Sequence, residues 1–249
     1  VTRSRARGLS FLATFCLVAL GAPNASAQTR ALRWDPPVDY TVTLGGGALW
    51  IASVALGSVL DPSSCRWCAT NPVDAGARRA LLWPDADLAG QLSDATGFVL
   101  SPAAAYGLGA SAAFHAHASS NFALDALLIT EATVLALDLD EATKLLTARS
   151  RPYVRADGGP RDPDDLMSFF SGHATETFAL AASSGTVAML RGYAWAPAPW
   201  IAGGILAVTT GYLRIAADRH WLTDVLVGMI AGTCVGVAVP LLFHGPQEN

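Results

Sequence analysis

Charge is scarce in this chain: only 14% of its 249 residues are Asp, Glu, Lys or Arg, and the formal net charge is −4. No basic tail and no Lys/Arg-rich block is present, so the electrostatic footprint of a nucleic-acid binder is missing. Strand signals are absent as well, and no internal repeat or second domain interrupts the chain. Cysteine is sparse, with four residues. Cys65 and Cys68 form "CRWC" followed by Ala69 rather than His, which excludes haem attachment by pattern. Zinc would need two more ligands nearby, and none is visible. The pair reads as a structural disulfide or two free thiols, with redox catalysis as a further use. No Asp/Glu cluster resembles a divalent-metal site, so neither metal nor cofactor is expected and EDTA should not inhibit.

Apolar residues are what the chain has in excess: 52% of the total, with a positive mean hydropathy. Membrane residence is the reading this supports. Arg3, Arg5 and Arg7 precede the short apolar stretch "LSFLATFCLVALGA", and "ASA" at 25–27 supplies small residues for cleavage. Residues 1–27 therefore read as a signal peptide and 28–249 as one domain, with an uncleaved anchor as the alternative. Cys16 would leave with the signal, and "ATFC" lacks the small residue expected before a lipidated cysteine. Ion-poor runs then mark six helical spans near 40–60, 97–114, 121–147, 171–190, 196–213 and 225–243. Asp125 and Glu131 interrupt the third, and such groups should face the bundle interior. Residues 74–94 read as an interfacial helix and 155–166 as a Gly/Pro loop. The fold class is all-α, a six-helix transmembrane bundle.

The few ions gather in three clusters. "KLLTARSRP" holds Lys144 and Arg151 two helical turns apart, on one face of a helix that Pro152 should end. The bland reading is a positive helix end at the headgroups. "SFFSGHATE" places Ser171, Gly172 and His173 where a loop becomes a helix, a natural anion seat or an ordinary N-cap. "LRIAADRHWLTD" holds Arg214, His220 and Asp224. On a helix, His220 and Asp224 stack four apart, so the carboxylate could hold one ring nitrogen and free the other for attack. A loop salt bridge, Asp224 with Arg219 or Asp218 with Arg214, is the competing reading. His115 and His117 ("FHAH") point apart on a helix and read as interfacial residues rather than a metal site.

Together, Lys144-x6-Arg151-Pro152, Ser171-Gly172-His173 and Arg214-x5-His220-x3-Asp224 resemble the type 2 phosphatidic acid phosphatase (PAP2) family. Its superfamily includes bacterial class A acid phosphatases and vanadium haloperoxidases. The likeness covers about residues 121–243, and it departs at Phe170, where the family usually has Pro, and at Leu213, where it has Ser. The resemblance implies a membrane phosphatase acting on a lipid phosphate monoester or isoprenyl pyrophosphate. Lys144, Arg151, Ser171, Gly172 and Arg214 would bind phosphate. His220 would attack phosphorus with Asp224 orienting it, and His173 would protonate the leaving alcohol. A vanadium-dependent haloperoxidase and a non-catalytic lipid-phosphate-binding protein are the alternatives. The implied partners are the bilayer and a lipid phosphate, and the oligomeric state is open. The implied home is a bacterial-type inner membrane with the site at the periplasmic face. Two features point the other way: a cleaved signal followed by three spans puts the catalytic loop inside, and so does the arginine distribution.

Overall fold

The computed structural model describes residues 29–155 and 159–247, so the signal-peptide reading and Cys16 lie outside the described residues. Among the described residues there are eight helices and no strand. They are α1 (Pro36–Ala55), α2 (Gly57–Leu60), α3 (Pro72–Leu81), α4 (Ala86–His115), α5 (Phe122–Thr147), α6 (Gly172–Arg191), α7 (Pro197–Ala216) and α8 (Leu222–Phe243). Their starts follow local chemistry. Asp35 caps α1 through the Val38 N–H and Asn71 caps α3 through the Asp74 N–H, each followed directly by proline. Proline fits a first turn because its missing N–H would have no helical partner there.

The expected interfacial helix over 74–94 does not form as one piece. Pro84 and the Asp85 cap separate α3 from α4, since proline disfavours helix in the residue before it. Instead α4 runs on to His115 through a π-helical turn at Ala95–Leu100. Pro102 cannot donate to the preceding turn, and the widened turn carries the chain past that missing bond.

The core is built for close approach. Gly228, Gly232 and Gly236 stand four apart on α8 and lie against the α6 backbone. A Cβ at Gly232 would sit 2.3 Å from the Thr175 carbonyl oxygen, and one at Gly228 would sit 2.8 Å from that of Ser171. Small residues at this spacing let two helix backbones touch. The same contact fixes the start of α6 beside the start of α8, where the Ser171 N–H donates to the Asp224 carbonyl at 3.1 Å.

Large apolar residues point outward on the long helices, among them Leu44, Ile51, Ile205, Ile230, Leu242 and Phe243. Ionisable ones point inward: Asp125 and Glu131 are 2% and 5% exposed, and Asp125 pairs with Arg191 at 2.7 Å. This turns the usual water-soluble arrangement inside out. By length and composition two helices, Ala86–His115 and Leu222–Phe243, are long and apolar enough to cross a membrane. The six-span count is not reached by that measure. The inward Asp and Glu side chains lower the mean hydropathy of α5 even where its outer face is apolar.

Candidate active site

The helix carrying Lys144 ends at Thr147, where Ala148 takes φ +43°, so Lys144 and Arg151 do not share a helix face. Residues 148–150 pair instead with the "CRWC" loop: the Arg66 N–H meets the Ala148 carbonyl at 3.1 Å, and the Ser150 N–H meets that of Trp67 at 3.3 Å. Cys65 and Cys68 are joined in a disulfide within this loop. Likewise His220 lies in the turn before α8, not on it, because the Asp224 carboxylate caps the helix through the Trp221 N–H at 2.9 Å.

The separated motifs nevertheless meet. A cavity of about 280 Å³ is lined by Lys144, Arg151, Gly172, His173, Arg214 and His220, with Trp50, Val54, Phe98 and Leu137 forming an apolar wall. Ser171 and Asp224 do not line it; both are fully buried. The Ser171 hydroxyl caps α6, accepting from the Ala174 N–H at 3.5 Å, as the N-cap reading expects. Asp224 stands behind His220. Gly172 brings backbone close to the cations: a Cβ there would lie 3.0 Å from Lys144 Nζ.

His220 is 3% exposed, and its Nδ1 lies 2.8 Å from the Ser168 carbonyl. A carbonyl only accepts, so Nδ1 carries the hydrogen and Nε2 keeps a lone pair. Nε2 faces the Arg151 guanidinium at 3.4 Å. The orienting acceptor is therefore the Ser168 carbonyl; Asp224 Oδ2 is 3.8 Å from Nδ1 and instead receives the Ser168 hydroxyl at 2.6 Å. Burial, and then the charges of Arg151, Arg214 and Lys144, hold the His220 pKa well below its ordinary value. The imidazole is neutral at neutral pH, as a nucleophile needs.

Each cation has its own carboxylate. Lys144 meets Asp140 at 2.6 Å, Arg151 meets Asp164 at 2.7 Å, and Arg214 meets Asp94 at 3.3 Å. Asp94 also holds His173 Nε2 at 2.8 Å, and Phe98 packs on that ring at a centroid distance of 4.4 Å. Both residues come from the first half of α4, beside and within its π turn. Asp94 and Asp164 are more than half exposed, while Asp140 is buried. A neighbouring hollow of about 390 Å³ shares Lys144 and is ringed by Asp61, Glu141, Asp162 and Asp164. Partial burial, then the charges of Glu141, Asp164 and Asp162, raise the Asp61 pKa to about 6.

Behind the nucleophile candidate lies a buried ion network. Arg149, 1% exposed, bridges Asp224 and Asp74, the latter at 2.6 Å, and stacks on Trp67 at 4.1 Å from the ring centroid. Asp74 also accepts from the Thr223 N–H at 2.9 Å and hydroxyl at 2.8 Å. Arg149 was in plain view inside "KLLTARSRP", where its burial could not be read. Asp74 and Asp94 sit in a stretch whose mixed charges read as interfacial. Nothing local ties Asp74 to Thr223, 149 positions away, or Asp94 to His173, 79 positions away.

A solved structure of a transmembrane PAP2 type phosphatidylglycerolphosphate phosphatase from Bacillus subtilis superposes with a TM-score of 0.49 at 18% identity, covering 80% of this chain and 94% of that one. An undecaprenyl-diphosphatase from Sulfolobus acidocaldarius is 32% identical over 122 residues, 47% of this chain and 54% of that protein. The chain thus spans about half the length of this curated relative. Residues 125–247, which hold all three clusters, match the PAP2 superfamily model, and this region of the chain belongs to that superfamily.

Proposed function

We propose that the chain is an integral membrane phosphatase that hydrolyses a lipid phosphate monoester or isoprenyl diphosphate through a phosphohistidine. The observation that carries this reading is the His220 ring: Nδ1 is tied to the Ser168 carbonyl and the free Nε2 faces Arg151 inside a pocket also lined by Lys144, Arg214 and His173. His220 Nε2 attacks phosphorus, the bond from phosphorus to the leaving oxygen breaks, and protonated His173 gives that oxygen its proton. Neutral His173 then takes a proton from water, the resulting hydroxide breaks the P–N bond, and phosphate leaves. Lys144, Arg151 and Arg214 stabilise charge on the non-bridging oxygens, exchanging their resting carboxylates for the phosphoryl group. Ser171 acts on this site by starting α6, and Gly172 by letting backbone approach. Asp94 positions His173 between turnovers.

The apolar wall of Trp50, Val54, Phe98 and Leu137 supports a lipid tail beside the headgroup. The relative's name, undecaprenyl-diphosphatase, supports the isoprenyl option. All six long helices cross the bilayer in this reading, with the inward-facing charges explaining those of low hydropathy. The active-site end faces the outer, oxidising side, because the Cys65–Cys68 disulfide lies at that end. Phosphate release from a panel of lipid phosphates and isoprenyl diphosphates, in detergent, tests the reading. Release that survives in His220→Ala overturns the nucleophile assignment. Acid-labile, base-stable phosphoenzyme accumulating in His173→Ala is the expected signature.

A further inference from the structure

A second buried polar cluster lies at the other end of the bundle. Asp39 near the start of α1, Glu131 in the first half of α5 and His244 at the end of α8 each offer a ligand atom, and these atoms lie within 4.8 Å of one another. Twenty residues of helix separate His244 from Asp224, roughly 30 Å at 1.5 Å per residue, so this cluster is no part of the phosphate pocket. All three side chains are buried, at 4%, 5% and 2% exposure.

The hydrogen bonding of the cluster is incomplete in a directed way. His244 Nδ1 lies 3.1 Å from the Arg33 carbonyl, so Nδ1 carries the hydrogen and Nε2 presents a lone pair. Nε2 points at Glu131 Oε2 across 3.6 Å, beyond hydrogen-bond reach for a charged pair. Neither atom has a hydrogen-bond partner among the described residues. One Asp39 oxygen receives the Asp35 N–H at 2.8 Å. One helical turn further along α1, the buried Thr43 hydroxyl is also without a hydrogen-bond partner among the described residues. Two buried carboxylates are costly unless a cation joins them, and Nε2 of His244 faces them with no hydrogen-bond partner of its own among the described residues. A carbonyl that fixes the far ring nitrogen is the usual support for a metal-bound histidine.

We propose that Asp39, Glu131 and His244 form a structural site for a first-row divalent transition metal of the Zn²⁺ class. One imidazole nitrogen and two carboxylate oxygens suit such an ion better than Mg²⁺ or Ca²⁺, which favour oxygen donors throughout. The ion cancels the two buried charges and ties α1 to α5 and α8. Since α1 also carries Trp50 and Val54, the site holds the apolar wall of the phosphate pocket in place from a distance. It takes no part in phosphoryl transfer. The three residues stand 92 and 113 positions apart along the chain, so they form no cluster in the sequence.

The test uses the full, tag-free chain in detergent, with metal content and thermal unfolding as readouts independent of any phosphatase activity. The purified protein is expected to hold about one equivalent of divalent transition metal. EDTA should lower Tm, and Zn²⁺ at about a hundredfold over its Kd should restore it by roughly 5–10 °C. Glu131→Gln and His244→Gln should abolish the Zn²⁺ response, while His220→Ala, at the distant pocket, should keep it. Wild-type protein without bound metal, whose Tm ignores both EDTA and Zn²⁺, overturns the proposal and leaves a proton on His244 as the cluster's cation. A Zn²⁺ response persisting in both Gln variants overturns it too, because the ion then binds elsewhere.

Discussion

At the scale of single residues, the placement of His220 separates the jobs of its two neighbours. The Ser168 carbonyl sets the tautomer directly, whereas Asp224 acts across 3.8 Å and through the Ser168 hydroxyl. Asp224→Asn should therefore lower kcat by about 10- to 100-fold, short of the roughly 10⁴-fold loss seen where a triad carboxylate alone fixes the tautomer. Loss to background, equal to that of His220→Ala, would assign Asp224 the larger role. The depressed His220 pKa has two consequences with definite sign. The unfolded chain takes up a proton on this ring near its ordinary value of 6.5 and the folded chain does not. Stability should thus decline as pH falls below about 6.5, while kcat/KM shows no break there from this group. Asp61, with its pKa at about 6, is charged above that pH and lines the hollow that shares Lys144 with the candidate pocket, where it opposes an anionic headgroup. Asp61→Asn should lower KM at about pH 7.5, with the difference from wild type fading near about pH 5.

Between elements, what matters is how closely α6 and α8 approach, because their first turns carry His173 and flank His220. Gly232→Ala places a Cβ 2.3 Å from the Thr175 carbonyl. It should cost about 1–3 kcal/mol and reduce turnover by spreading the two helix starts. Gly204→Ala on α7, where a Cβ meets nothing within 4 Å, should leave Tm unchanged or raise it, since alanine favours helix. Thermal unfolding of both variants checks this pair. The Arg149 bridge joins α3 to α8 in the same way. Arg149→Met strands Asp74 and Asp224 as buried charges and should cost about 3–5 kcal/mol. Arg149→Lys should rescue only part of it, because an ammonium cannot fork between two carboxylates.

For the whole molecule, the distribution of polarity bears on how the bundle sits in lipid, and the disulfide bears on which side its pocket end faces. An apolar exterior around inward charges supports a bundle immersed in lipid, with the phosphate pocket at one end and the Asp39–Glu131–His244 cluster at the other. The disulfide favours an outer, oxidising side for the pocket end; the arginines of that end favour the inner side. Ten Lys and Arg stand at that end from Arg66 to Arg219, and among them Lys144, Arg151 and Arg214 line the candidate pocket while Arg149 supports it. Cysteine introduced at Ser63, in the loop before the disulfide, should react with an impermeant thiol reagent in intact cells. Protection of that site until the cells are opened would reverse the orientation.

The sequence by itself determined the all-helical class, the family and residue types that line the candidate pocket, because periodicity, ion scarcity and motif spacing are properties of neighbours along a chain. It showed Lys144, Arg151, His173, Arg214 and His220 as chemistry-bearing, but it put Lys144 with Arg151, and His220 with Asp224, on helix faces they do not share. A left-handed residue at Ala148 and a cap at Asp224 undo those faces, and neither follows from spacing alone. Only the tertiary structure decided that the Ser168 carbonyl, Arg149, Asp74 and Asp94 stand behind the two histidines, and that Asp39, Glu131 and His244 converge. Those contacts depend on desolvation and on directions in space, and both arise only once distant helices pack.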